Sequence, residues 1–299
     1  MSLTSFLKDK DVKNAFERVF EEPQFKLQAE LLAHPLTNNY ALLGTAFDYL
    51  LRFYVKRLNP DAIEHRWISE RVCDDFYSLL LISASGVFID IEEIDNIEKK
   101  IKEIIQYAKK AYSEYINTGI MNHDLFKSVL LLAQVDSIYR EGAKVMYRDG
   151  FLDENSVDEN DIKDLQNLIS IVKPEYFKAK EICILNPTFG KASKLVGGAD
   201  CDLVIDDAII DIKTTKKLDL TRDYFNQLIG YYILYTIGGI DGMPSNYRVK
   251  RLGIYFSRYA YLLFIDALEV ISRIKEGGRF LDFVNWFEKK AIEKYGRHL

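Results

Sequence analysis

An α/β fold is what this sequence predicts, with a mixed central sheet flanked by helices and a large helical insertion. Three observations carry the expectation. Strand-like runs are confined to 181–187, 202–213 and 251–265; helical stripes fill both flanks; and the long stretch 60–150 reads as helix with no strand signal. The 299 residues, 48% hydrophobic and 28% charged, can hold one large well-packed domain or a core with a substantial insertion.

In chain order, residues 4–34 read as helices, with Ser5, Asp9 and Asp11 as caps and Phe16, Val19 and Phe20 at helical spacing. His34-Pro35 and Asn38-Asn39 break that pattern. A strongly amphipathic helix begins at Leu42 and completes an N-terminal section, 1–59. The insertion, 60–150, contains two long stripes, Ile94–Ile116 and His123–Tyr147, of the kind that packs a core. His65 and His123 have no carboxylate or cysteine at ligand spacing and read as structural. Section 151–299 holds the sheet and the C-terminal helices. It opens on an acidic, loop-like hinge (Gly150–Asp164), a helix from Ile162 to Val172 ended by Pro174, and a first strand at Glu181–Pro187. Two more strands lie at Arg251–Ser257 and Tyr261–Ile265. The last helices are Leu268–Arg273 and Phe280–Tyr295, the second packing Phe283, Trp286 and Phe287 inward.

Chemistry concentrates in GGADCDLVIDDAIIDIKTTKKLDLTRDYFNQLIGYYILY, Gly197 to Tyr235. Its first half alternates as a β-hairpin turning at Asp206-Asp207. If the loop is two residues, Ile205 faces Ala208 and Asp202 faces Asp211, with Cβ atoms about 4.5–5.5 Å apart. Lys213 shares their face by the period of two, while Leu203, Ile205, Ile210 and Ile212 fill the other. Two carboxylates that close repel, and a divalent cation such as Mg²⁺, which takes oxygen ligands, would offset the repulsion. A surface hairpin with scattered charges is the alternative.

Asp202 followed by Asp211-Ile212-Lys213 resembles the bipartite motif of the PD-(D/E)XK nucleases, although Cys201 stands where the family name has Pro. Gln227-Leu228-Ile229-Gly230-Tyr231 resembles the Gln-x-x-x-Tyr signature of the RecB-like branch, and four-residue spacing puts Gln227 and Tyr231 on one helix face. Gly44 followed by Asp48 resembles that branch's first motif, with Asp48 in place of His. The resemblance covers roughly 40–58 and 181–266. It implies a restriction-endonuclease-like core and a metal-dependent nuclease, DNA favoured. Asp202, Asp211 and the carbonyl of Ile212 would hold Mg²⁺ or Mn²⁺, with Asp48 as a further oxygen ligand or else a plain helix acid. Lys213 would orient the attacking water, and Gln227 and Tyr231 would position Lys213 or the scissile strand. Asp200, two residues before Asp202, is the alternative first acid.

Charge and cysteines bound the rest. The net charge of −5 divides into +5 from Arg248 onward and −10 before it, so the basic end could meet phosphate or simply face solvent. Lys191, Lys194, Lys216, Lys217 and Arg222 carry the same two readings. The three cysteines (Cys73, Cys183, Cys201) show no C-x-x-C spacing, which argues against a disulfide framework, zinc or an iron–sulfur cluster. MSLTSFLKDKD lacks a signal-peptide pattern, and the longest apolar run, Leu79–Ile89, is too short to span a bilayer. A cytoplasmic protein without membrane attachment is expected, with the insertion available for a protein partner or a second copy.

Overall fold

A computed structural model describes residues 2–23, 25–83, 91–275 and 278–296. Six strands form one mixed sheet in sequential order: β1 (Ile63–Glu64), β2 (Cys183–Leu185), β3 (Leu203–Ile205), β4 (Ala208–Lys213), β5 (Arg251–Phe256) and β6 (Tyr261–Asp266). The β1–β2 and β4–β5 pairs are parallel and the other three antiparallel. The β3–β4 hairpin pairs Ile205 with Ala208 and Leu203 with Ile210, the expected register. Its two-residue turn works without glycine because Asp206 takes a left-handed φ of 51°, which Asp tolerates better than most residues. The Asp206 carboxylate accepts backbone N–H groups of Lys180, Glu181 and Ile182 at 2.9–3.2 Å, which locks the turn to the approach of β2.

Strand alternation sends side chains into two cores. Leu185, Leu203, Ile205, Ile210 and Ile212 pack on one side with α3 (Tyr40–Leu58), α4 (Ile68–Ser83), α5 (Ile91–Thr118), α6 (His123–Glu141) and α7 (Glu159–Ser170). Val204, Ile209, Ile254 and Phe256 pack on the other with α1 (Leu3–Leu7), α2 (Lys10–Val19), α8 (Lys191–Leu195), α9 (Arg222–Gly238), α10 (Ala267–Ser272) and α11 (Phe280–Tyr295). Phe6, Phe16, Phe20, Phe283 and Phe287 lock the second layer edge to face. Both faces of the sheet are therefore buried, which is why its strands read as near-continuous apolar runs.

Several expectations shift in detail. The helical N-terminus stops at Val19, and the described residues of 20–39 carry no helix or strand. The segment 60–150 is mostly helical but also supplies β1, whose two residues are exposed and show no apolar alternation. The helix expected over His123–Tyr147 ends at Gly142, φ 76°, and continues as a 3₁₀ turn. The apolar run Leu79–Ile89 lies outside the described residues from 84 onward. No helix among the described residues is long and apolar enough to cross a membrane. Trp286 is only half-buried, whereas Phe283 and Phe287 point inward as expected.

The acidic stretch expected as a hinge becomes the start of α7 and clamps the irregular segment. Asp164 is fully buried and takes a bidentate contact from Arg258 at 2.8 and 3.2 Å, while accepting the Leu36 N–H at 3.0 Å. Arg258 also reaches the Ala33 carbonyl, and its own carbonyl accepts the N–H groups of Leu32 and Ala33. Asp161 receives Thr37 and Asn39. These bonds satisfy backbone groups that no helix or sheet serves, and they fix where α3 begins. Breaking a buried pair leaves an uncompensated charge, so Arg258→Met should cost about 3–5 kcal/mol. A urea unfolding midpoint equal to wild type would refute that role.

Candidate active site

The site forms where β3 begins and β4 ends. One step beyond the Leu203–Ile210 pair, Asp202 stands opposite Asp211. Asp202 reaches across to β4, its Oδ2 accepting the Ile212 N–H at 2.6 Å. The N–H and C=O of a strand residue point to the same side, so the Ile212 carbonyl faces this same open corner. Asp211 is 2% exposed. Its Oδ2 lies 2.6 Å from the Lys213 ammonium, an ion pair rather than an aligned hydrogen bond.

From the next layer α9 closes a ring over these groups. Lys213 Nζ donates to Gln227 Oε1 at 3.0 Å, and Gln227 Nε2 donates to the Tyr231 oxygen at 2.7 Å. The Tyr231 hydroxyl in turn faces Asp211 Oδ1 at 3.4 Å. Four-residue spacing on one helix face makes this latch possible, as the sequence indicates. Tyr224, one turn before, places its ring 5.0 Å below the ammonium. Burial works against the charge on Lys213, but Asp211 and Asp202 outweigh it and hold its pKa above the usual lysine range. Burial, reinforced by the Asp211 and Asp202 carboxylates, raises the Tyr231 hydroxyl well above the tyrosine range, so it stays a neutral donor.

The facing wall is α3, which brings Asp48 into the same cleft. Asp48 Oδ2 pairs with Arg52, four residues on, at 2.7 Å, while its Oδ1 is buried without a partner. Burial first, then the Asp48 and Asp211 charges, push the Asp202 carboxyl well above the carboxylate range. Asp200 also lines the cleft, and burial raises it. The cleft measures about 770 Å³ and is lined by Asp48, Asp200, Asp202, Asp211, Lys213, Gln227 and Tyr231, whereas Lys216 and Lys217 lie outside it.

Would a divalent cation fit? Among the described residues no group of three or more His, Cys, Asp or Glu is gathered tightly enough to hold a metal ion. The donor chemistry nevertheless suits one. Five buried side-chain atoms among the described residues lack a hydrogen bond, and three of them line this cleft: Asp48 Oδ1, Asp211 Oδ2 and Asn186 Nδ2. Asp211 Oδ2 meets only the Lys213 ammonium and Asp48 Oδ1 meets nothing, and with Asp202 in the same cleft they make a hard-oxygen set of the type Mg²⁺ or Mn²⁺ takes.

Several participants escaped the sequence reading. Arg52 is 4% exposed with its guanidinium 4.5 Å over Tyr49. Asp136 accepts Tyr49 at 2.9 Å, and Arg140 bonds Thr45 at 2.9 Å. The one available signal was an acid set inside the apolar stripe Leu132, Val135, Ile138. Arg222, left open between phosphate and solvent, holds the carbonyls of Phe16 and Phe20 and is structural. Lys290 and Lys294 of the basic C-terminal region pair with Asp11 and Asp9 at the start of α2. Lys191 and Lys194 stay exposed on α8. His65 contacts the Asp241 carbonyl and His123 the Glu159 carboxylate, and neither lines the cleft.

Burial raises the Asp136 carboxyl to about 7, against partial relief from Arg140, Tyr49 and Arg52. The folded state therefore binds the proton more tightly than the unfolded chain. This contribution to stability is complete below about pH 4 and is lost as pH rises through about 7. Asp136→Asn should remove that decline, so its stability relative to wild type should grow between pH 4 and 8. Parallel pH profiles in urea titrations would contradict the assignment.

Comparison with protein-family models, with curated proteins and with solved structures finds no match to this chain.

Proposed function

We propose that this protein is a metal-dependent nuclease of the RecB-like PD-(D/E)XK type that hydrolyses phosphodiester bonds, in DNA by preference. The observation that carries the reading is the Lys213 ammonium. It is held by Asp211 and Gln227 on the face that Asp202 shares, in a cleft that also holds an unpartnered Asp48 oxygen. A structural ion pair would not require an aligned glutamine, a tyrosine and two further acids around one lysine.

On this reading Asp202, Asp211, the Ile212 carbonyl and Asp48 hold Mg²⁺ or Mn²⁺. The metal, when bound, supplies positive charge to the phosphoryl oxygens and lowers the pKa of a water. The chain's own residues do the remaining work. Lys213 stays protonated and so acts as a donor and a fixed charge, orienting the attacking water and facing the phosphate as negative charge builds. Gln227 and Tyr231 hold the ammonium in place. The water oxygen bonds to phosphorus as the bond to the 3′ oxygen breaks. The water's proton leaves to solvent through the cleft mouth, and the 3′ oxygen takes one up.

A second reading is a nuclease-fold domain without activity that binds DNA or assembles with a partner. The Arg52 contact on Asp48 favours it, because a guanidinium already occupies one oxygen of an acid the metal would use. Calorimetry with Mn²⁺ separates the two, since an inactive domain should take up no metal in a carboxylate-dependent manner.

The decisive experiment is cleavage. Wild type should cut linear, circular or single-stranded DNA in Mn²⁺ or Mg²⁺ and stop with EDTA. Lys213→Ala should lose about 10²–10³-fold in rate while remaining folded. Folded wild type that leaves every DNA and RNA substrate intact would sink the active-nuclease reading.

A further inference from the structure

Two residues of the cleft carry features that packing does not explain: the bare backbone of Gly44, and the side-chain amide of Asn186, whose left-handed backbone accounts for an Asn but not for an unpartnered donor. Gly44 lies inside α3, one turn before Asp48 and on the same face, and lines the cleft. A glycine within a helix costs roughly 1 kcal/mol against alanine. Some helical glycines are explained by packing: at Gly238 an added Cβ would sit 2.3 Å from the Phe189 carbonyl oxygen. At Gly44 a Cβ would meet nothing within 4 Å, and no left-handed φ requires a glycine there. The bare backbone is a feature of the cleft, not of the fold.

Asn186, immediately after β2, lines the same cleft. It is 5% exposed, takes a left-handed φ of 52°, and its own N–H binds the Asp202 carbonyl at 2.9 Å. Its side-chain Nδ2 is buried with no acceptor although the residue lines the cleft. A buried donor without a partner costs free energy that a native fold ordinarily avoids, unless a ligand supplies the acceptor. The unpartnered Asp48 Oδ1 belongs to the next turn of α3 after Gly44, so two unmet bonds lie in the cleft that Gly44 lines.

We propose that Gly44 and Asn186 are substrate-contact residues next to the acid cluster. The sugar–phosphate backbone of one polynucleotide strand lies directly on α3 at Gly44, and the Asn186 amide donates to an oxygen of its phosphodiester. Tyr40, one turn before Gly44 and half-exposed, with Lys216 over its ring at 4.5 Å, extends the track with an aromatic face and a cation. This inference rests on the nuclease reading above and adds the path of the strand to it.

The test pairs stability with binding, because a residue kept for packing would lose the first. Gly44→Ala should raise the melting temperature by about 1–3 °C, the gain of a better helix former. Asn186→Gly tolerates the left-handed backbone and removes the unpartnered donor, so its melting temperature should move by less than about 3 °C. Binding is read by fluorescence anisotropy of a labelled short single-stranded DNA oligonucleotide, with Ca²⁺ in place of Mg²⁺. Both variants should bind at least roughly tenfold more weakly than wild type. A variant that binds as wild type removes its residue from the contact, and two such variants overturn the proposal while leaving the nuclease reading intact. A melting temperature lowered well beyond the stated range would mean a packing role and would also overturn it. If wild type itself binds neither single-stranded nor duplex DNA or RNA, the nuclease reading and this inference fall together.

Discussion

The half-buried Asp202 beside the buried Asp211 constrains the rest of the molecule. Two carboxylates in neighbouring strands, screened from water, repel each other, and the pKa of Asp202 rises for that reason among others. The chain answers with donors from separate elements: the Ile212 N–H on Asp202, and Lys213 with Tyr231 on Asp211. Arg52 does the same for the third acid, Asp48. Sheet, α3 and α9 must therefore meet at one corner within a hydrogen bond's tolerance. A fold that only needed a hydrophobic core could place them more loosely.

That requirement reaches well beyond the corner. Asp48 is held on α3, and α3 is entered from a segment with no helix or strand of its own. The segment keeps its course because Asp164 and Asp161 of α7 bind it and because Arg258, between β5 and β6, anchors both. The fully buried Arg258–Asp164 pair thus works at long range. It sets the start of α3, and α3 sets the distance from Asp48 to the strand ends. Its stability contribution and its role in positioning the site are inseparable, since both act through the same bonds.

The sequence revealed those parts whose physics is periodic. Alternation over Leu203–Lys213 gave the hairpin register and put Asp202, Asp211 and Lys213 together. A four-residue spacing paired Gln227 with Tyr231, and the turn at Asp206 needed only a residue at ease with positive φ. What stayed hidden is aperiodic or depends on distant partners. β1 is two exposed residues with no pattern, and it exists because β2 offers an edge. Asp161 and Asp164 sit in an acidic run that reads as solvated loop, and only the arrival of Arg258 and the 32–39 segment makes them interior groups. Asn186 looks like part of a strand end. Its unpartnered amide is visible only when the cleft around it is complete.

Asp48 is where the sequence departs from the family that it resembles, which has a histidine at that position, and the structure gives the departure a physical account. A neutral imidazole would add no charge to a corner that already holds two acids, whereas a carboxylate adds a negative one. Helical geometry puts residue 52 over residue 48, and the arginine there binds Asp48 Oδ2 at 2.7 Å. Burial opposes the Arg52 charge, but Asp48, Tyr49, Asp136 and Asp202 together outweigh it, so the guanidinium remains protonated. Asp48 and Arg52 together therefore contribute no net charge, as an imidazole would. One oxygen, Oδ1, is still turned inward without a partner. An acid at this position thus needs the arginine one turn on, which a neutral imidazole would not, and the two residues form one electrostatic unit.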